Sequence, residues 1–429
     1  MNKSKVFIFT LFLLWGVAFI AKFTWFATSD DKIYSSEHNI RNYKYPRAKI
    51  VDRNNKILAK GDGGKRIYRY GSITSHFVGY YDPKVGMAGI EGNYAHRLVS
   101  NNQARLWYFV KNTERKAPLK VTLDVDLQKV ADEALGSRNG SIVVLDARTG
   151  EILALVSHPG FDPNKGNWKE LKERTDAPLL NRATKGYYMP GSVWKTIDSI
   201  MLLGKGEKQF TCTGSYTIGK LKILCTHPHG KVDSFADAYA RSCNGYFMSR
   251  AMEEIPVKEF IETSSRFMSK KLPENLSRMD YALSVIGQGP AIEITPMEGA
   301  LIAQAVANKG LMLKPVVVKG EKAGSKRVMD ENTARSLRQL MEGVVKRGTG
   351  KALNIFGQSI IGAKTGTAEK ELKGGRKINI AWMIGFAKAA KYPVAFAVAI
   401  ENTDKFASEA CSPVVSRILE YYFANTKEK

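Results

Sequence analysis

Two pairs of apolar runs bracket the longer, C-terminal part of this 429-residue chain, and the stretch between them reads mostly as helix. The first pair is "GSIVVLDARTGEILALVSHPG", from Gly140, in which an Asp-Ala-Arg-Thr-Gly turn joins two strand-like segments. The second pair is "INIAWMIGFAK" and "YPVAFAVAIEN", followed by a helical "SPVVSRILEYYFAN". Strands at both ends with helices between them predict one antiparallel sheet with helices packed against it, an α+β fold. A doubly wound parallel sheet needs strands and helices to alternate, and this order does not supply that. Ahead of the first pair, "LDVDLQKVADEALGS" has apolar residues at helical spacing, with Asp124 or Asp126 placed to cap it.

Upstream the texture differs. The first residues, "MNKSKVFIFTLFLLWGVAFIAKFTWFATSDD", hold an apolar run from Val6 to Ala27 broken only by Lys22. About 20 residues of helix cross the roughly 30 Å of bilayer hydrocarbon. Lys3 and Lys5 favour a cytoplasmic N-terminus, and Lys22 can snorkel to the far interface. A cleaved signal peptide is the alternative, but no small-x-small cleavage site follows a short apolar core, so an uncleaved anchor is the preferred reading. Either way the bulk of the chain is exported. The formal net charge of +24 suits an anionic partner, and export removes nucleic acid in favour of membrane or wall polymer. The polar stretch Ser29 to Tyr45 reads as a stalk, and "PRAKIVDRNNKILAKGD" as two short strands around an Asn-Asn turn. These features divide the chain into an anchor over 1–28, a stalk and small strand-rich unit over 29–120, and the main domain over 121–429.

Three short motifs occur in order within the main domain. They are Ser192-Val193-Trp194-Lys195, Ser242-Cys243-Asn244 and Lys364-Thr365-Gly366-Thr367, the last just before the second strand pair. Each alone is weak: a serine before a helix is usually a cap, and a lysine on one is usually solvated. Jointly they describe a chemistry. A serine hydroxyl needs a base to become a nucleophile, and a lysine one helical turn on places its amine on the same face. Burial and a neighbouring cation such as Lys364 would lower that lysine's pKa enough for it to act. Pro190-Gly191 starts the helix sharply, so Ser192 sits where the helix dipole favours a developing anion. Ser242 can relay a proton and Asn244 can donate to an amide substrate. "KTGT" at a sheet edge would let an extended peptide add as a strand, with Lys364, Thr365 and Thr367 holding a carboxylate and Gly366 permitting close approach.

Cys212 and Cys225 flank "TGSYTIGKLKIL", an alternating segment with a Gly-Lys turn that reads as a hairpin. A disulfide at its base competes with a metal site using His227 or His229. The C-x12-C-x-H-x-H spacing is not a usual zinc signature, so the bridge is the preferred reading.

The chain resembles the class B, monofunctional penicillin-binding proteins, and the likeness covers nearly everything after Tyr45. "RAKIVDRNNKILA" and "GMAGIEGNYAHRL" are similar to that family's pedestal motifs, with Ala48 where glycine is usual. "VVLDARTGEILALVSHPGFDPN", "LLNRATKGYYMPGSVWK", "ITPMEGALIAQAVANKG" and "AWMIGFA" follow its catalytic-domain patterns, and the motif trio is its signature. The resemblance implies a membrane-anchored D,D-transpeptidase with a penicillin-binding fold and a short pedestal, like the smaller elongation or septation members; the alternatives are a D,D-carboxypeptidase or β-lactamase of the same fold, or a non-catalytic β-lactam sensor or scaffold. It implies Ser192 as nucleophile, Lys195 as base, Ser242 as relay and Asn244 as substrate contact. Lys364, Thr365 and Thr367 would hold the terminal carboxylate, and the N–H groups of Ser192 and Thr367 would form an oxyanion hole. Substrates would be D-Ala-D-Ala stem peptides and β-lactams, with no cofactor and no metal in the reaction. A polytopic glycan polymerase is the implied partner, and a single-pass place in the bacterial cytoplasmic membrane the implied location.

Overall fold

The computed structural model describes residues 47–62, 65–99, 117–357, 359–371, 377–389 and 392–426. The expected anchor, the stalk to Tyr45 and the 100–116 connection lie outside the described residues. No helix among the described residues is long and apolar enough to cross a membrane.

Near the N-terminus a small sheet runs Lys65–Tyr68, Ile57–Asp62, Ile50–Val51 and Leu119–Lys120, in that spatial order. The two strands expected around the Asn-Asn turn pair antiparallel, with Ile50 opposite Ala59. Beside them Glu91 is fully buried and shared by two guanidiniums: Arg47 Nε donates to it at 2.9 Å and Arg66 Nε at 2.6 Å. A buried carboxylate is tolerable only with such compensation, which gives the charged residues of this segment a structural reason.

The main domain is built on one five-stranded sheet. Its strands are β1 (Gly140–Asp146), β2 (Ile152–His158), β3 (Ile360–Glu371), β4 (Lys377–Ala389) and β5 (Tyr392–Thr403). They lie in the order β3-β4-β5-β1-β2, every pairing antiparallel. The β1–β2 turn closes because Asp146 Oδ1 accepts from Arg148 N at 2.9 Å and Thr149 N at 3.1 Å. Both faces are covered, which is why these runs are continuously apolar rather than alternating. In β5, Ala395, Ala397 and Ala399 face one core while Val394, Phe396, Val398 and Ile400 face the other.

The helices that matter for the site are α1 (Val125–Leu135), α2 (Lys195–Leu202), α3 (Phe235–Arg241), α4 (Asn244–Glu254), α5 (Pro296–Ala307), α6 (Glu331–Arg347) and α7 (Ala407–Thr426). Asp124, not Asp126, caps α1, accepting from Asp126 N and Leu127 N. Helix α7 covers the bulky face of β5, α1 packs beside it on β1 and β2, and α5 covers the alanine face. There a Cβ on Gly299 would lie 3.2 Å from Trp382 Cζ3, so α5 packs closely against the sheet. Helix α2 and the turn leading into it form the buried axis of the helical lobe: Val193, Trp194 and Ile197 are all fully buried. Around it stand α3, α4 and two small hairpins, and the site opens where α2 meets edge strand β3.

Candidate active site

Ser192 lies in a tight 3-10 turn, Gly191–Trp194, that leads directly into α2. That turn is pressed onto β3. Gly191 has φ +55, and a Cβ there would sit 2.7 Å from Thr367 O. On the other side of the contact, a Cβ on Gly366 would sit 2.4 Å from Pro190 O and 2.8 Å from Val193 N. Both glycines are therefore required by close backbone approach, and Gly191 also by its left-handed conformation. Gly191 N donates to Gly287 O at 2.9 Å, which fixes the turn from behind.

The three motifs converge here. Lys195 Nζ is 2.9 Å from Ser192 Oγ, 2.8 Å from Ser242 O and 2.5 Å from Asn244 Oδ1. Lys364 Nζ donates to Ser242 Oγ at 2.8 Å, and Lys195 Nζ reaches the same hydroxyl at 3.4 Å. Ser242 adopts a left-handed conformation, φ 60 and ψ 37, at the end of α3. Such a conformation in a non-glycine residue is costly and survives only when its surroundings over-determine it. Asn244 begins α4 and its Nδ2 donates to Leu224 O at 2.7 Å.

Electrostatics follow from burial. Lys195 is fully buried, which disfavours its charged form and lowers its pKa to about 8. Lys364, also fully buried, is pushed well below the ordinary lysine value, first by burial and then by repulsion from Lys195. Two amines sharing one hydroxyl cannot both stay protonated at little cost, so burial and mutual repulsion favour loss of a proton from the pair.

The third motif lies on β3 at the sheet edge, as the sequence led one to expect. Thr365 Oγ1 meets Thr349 Oγ1 at 2.5 Å. Thr367 Oγ1 accepts from Ala407 N at 3.2 Å, at the start of α7, which leaves its O–H to donate. Sequence reasoning missed Gln288. Its Nε2 donates to Thr367 O at 3.0 Å and its Oε1 accepts from Glu369 N at 3.2 Å. The side-chain amide thus pairs with the strand edge as a neighbouring peptide group would. No sequence signal marked Gln288; in the fold it follows Gly287, at φ +66, whose Cβ would lie 2.2 Å from Gly191 O. Also missed was Asp198, fully buried one turn beyond Lys195, with neither carboxyl oxygen partnered among the described residues.

The Gly-Lys hairpin forms as expected, Ser215–Ile218 against Leu221–Leu224. The cysteines flanking it behave differently from the bridge that its sequence suggested. Cys212 and Cys225 are free thiols with Sγ atoms 3.6 Å apart, and Cys212 Sγ is 3.3 Å from His229 Nδ1. Cys243, inside the second motif, joins them, so four metal-capable donors lie within 4.8 Å of one another. The sequence had not included Cys243 because it is remote in the chain from the hairpin. His227 is not in this group.

Residues 140–420 match the model of the penicillin binding protein transpeptidase domain. The chain is 26% identical over 392 residues to the peptidoglycan D,D-transpeptidase PbpA of Mycobacterium tuberculosis, covering 79% of each protein. It is 26% identical over 458 residues to the peptidoglycan D,D-transpeptidase MrdA of Acinetobacter baumannii, covering 85% of this chain and 66% of that one. In fold it matches the D,D-transpeptidase domain of a peptidoglycan glycosyltransferase from Eggerthella lenta, with a TM-score of 0.76 at 26% identity, over 90% of this chain and all of that one. It also matches the ceftriaxone acyl-enzyme of penicillin-binding protein A from M. tuberculosis, with a TM-score of 0.78 at 23% identity, over 89% of this chain and 99% of that one. Because the family model spans residues 140–420, the whole sheet and all three motifs with it, the chain belongs to the penicillin-binding protein transpeptidase domain family.

Proposed function

We propose that this protein is a peptidoglycan D,D-transpeptidase that cross-links stem peptides through an acyl-enzyme on Ser192. The observation that carries the reading is the hydrogen-bonded cluster of Ser192, Lys195, Ser242, Asn244 and Lys364, drawn from all three motifs around one nucleophile. The names of the relatives support it.

In this mechanism neutral Lys195 Nζ takes the Ser192 hydroxyl proton as Oγ attacks the carbonyl carbon of the penultimate D-Ala. The N–H groups of Ser192 and Thr367 stabilise the resulting oxyanion; Thr367 N lies 3.0 Å from where a Cβ on Gly191 would be, so it faces the nucleophile's turn. The proton passes from Lys195 through Ser242 to the nitrogen of the departing D-Ala, and the C–N bond breaks. The acceptor amine of a second stem peptide then attacks the ester and regenerates Ser192. Lys364, Thr365 and Thr367 hold the donor's terminal carboxylate, and Asn244 contacts its amide. A β-lactam opens on Ser192 by the same first step.

The reading includes an uncleaved anchor over 1–28, a stalk and pedestal over 29–120 and the catalytic domain over 121–429. It places that domain outside the cytoplasmic membrane, beside a polytopic glycan polymerase. The net charge of +24 suits an anionic wall and membrane surface. A fluorescent penicillin is expected to label the wild type and not Ser192→Ala, and the purified protein to cross-link lipid-II-derived glycan when a glycan polymerase is added. Labelling of Ser192→Ala, or release of D-Ala with no cross-linked product, would overturn the assignment.

A further inference from the structure

We propose that Cys212, Cys225, His229 and Cys243 bind one tetrahedral, thiolate-preferring divalent cation, zinc foremost, and that this centre holds the Ser242–Asn244 turn in its catalytic conformation. The centre is structural and takes no part in proton transfer or acylation.

The donors come from three separate pieces of chain. Cys212 ends the strand Phe210–Cys212, and His229 precedes the strand Gly230–Val232 that pairs with it, Gly230 opposite Cys212. Cys225 follows the adjoining hairpin, and Cys243 caps α4. A tetrahedral zinc with Zn–S of about 2.3 Å and Zn–N of about 2.0 Å sets S···S near 3.8 Å and S···N near 3.5 Å. The observed separations of 3.6 Å and 3.3 Å fall just inside those values. A disulfide would need about 2.05 Å between sulfurs, and pairing any two of three clustered cysteines leaves the third over. Three sulfurs and an imidazole, with no carboxylate among them, suit zinc or another soft ion and disfavour magnesium or calcium.

Two further observations point the same way. Both local ladders, Phe210–Cys212 with Gly230–Val232 and Ser215–Ile218 with Leu221–Leu224, have only two strands. Isolated two-stranded ribbons are marginal in water and commonly need a staple. Three of the four donors are enclosed, Cys212 and Cys243 buried and His229 only 8% exposed, while Cys225 is half-buried.

The link to the active site is covalent and short. Cys243 stands between Ser242, which receives Lys364, and Asn244, which faces Lys195. Asn244 Nδ2 also donates to the carbonyl of Leu224, the residue before Cys225, and Arg241 Nη1 donates to His229 O at 2.9 Å. Ligation would therefore anchor both ends of the turn that keeps Ser242 left-handed.

The test uses the full chain, purified reduced, with metal content measured and cobalt(II) substituted for zinc. Wild type and Cys411→Ser, which alters a cysteine outside the cluster, are expected to retain about one metal per chain and to show the visible bands of tetrahedral thiolate-bound cobalt. Cys225→Ser is expected to lose those bands. Stripping wild type with a chelator should slow penicillin acylation by roughly tenfold or more, with recovery on adding zinc ion. This second arm needs no variant and stands even if Cys225→Ser fails to fold. Folded, reduced wild type that binds no stoichiometric zinc or cobalt overturns the proposal, as does a Cys212–Cys225 disulfide found by non-reducing peptide mapping of freshly isolated protein. A chelator without effect on acylation overturns the coupling. Metal content and cobalt spectrum do not depend on the reaction catalysed, so these failures are separate from failure of the transpeptidase reading.

Discussion

Lys195 Nζ stands 2.9 Å from Ser192 Oγ and has no exposed surface, so this amine and hydroxyl meet in a space that penalises charge. In the proposed mechanism the neutral amine is the active form, and burial brings its pKa down to about 8. Acylation should therefore rise about tenfold per pH unit below that midpoint and level off above it, with about a tenth of the lysine neutral at pH 7. Stopped-flow acylation by a chromogenic cephalosporin across pH 6 to 9 measures this. A flat profile would remove Lys195 from the role of base, and so would unimpaired labelling of Lys195→Ala, for which a loss of about 10²- to 10⁴-fold is expected.

Gly366→Ala tests the contact between the nucleophile's turn and the edge strand. The added methyl would lie 2.4 Å from a carbonyl oxygen and 2.8 Å from a backbone nitrogen, neither of which can swing aside as a side chain would. Overpacking of this kind costs about 1–3 kcal/mol, so the Tm should fall by about 2–6 °C. Penicillin labelling should fall more than tenfold because Thr367 is displaced relative to Ser192. Wild-type acylation in this variant would show that the contact does not position the site.

Gln288 is assigned as a positioning residue. Removing its two hydrogen bonds in Gln288→Ala forfeits about 1–2 kcal/mol of bracing on the β3 edge. The expected result is about a tenfold lower maximal acylation rate with the pH midpoint unchanged. A shifted midpoint would show instead that Gln288 acts through Lys195.

Asp198 makes a prediction about stability. Burial pushes its carboxyl pKa well above the ordinary value, and neither oxygen has a partner among the described residues. A group whose folded pKa is raised gives its full stability below the unfolded pKa and loses it as pH rises toward the folded value. The Tm of Asp198→Asn minus that of wild type should therefore grow in the variant's favour from pH 5 to pH 8. A constant difference in differential scanning calorimetry would contradict this.

Much of this architecture is local information. The β1–β2 hairpin, the β4–β5 pair and the capped α1 follow from apolar runs, a turn led by Asp146 and a cap residue, each within a few positions. The serine–lysine spacing is likewise set by one turn of helix. Gln288 and Asp198 were not legible, because a buried amide and a buried acid carry no mark until their surroundings are assembled. The cysteines show the difference most clearly: adjacency along the chain favoured pairing Cys212 with Cys225 over a metal site with His229, whereas folding adds Cys243 and brings all four donors into one small volume.

By itself, then, the sequence determined which segments are strand or helix, their order, and which serine, lysines and asparagine are candidates for the chemistry, because periodicity and short motifs are properties of neighbouring residues. The tertiary structure alone decided that Lys195, Ser242 and Lys364 meet at one hydroxyl, and that Gly366 touches Pro190. It also decided how far burial strips charge from the two lysines. Those are distances and desolvation between segments far apart in the chain, and only packing sets them.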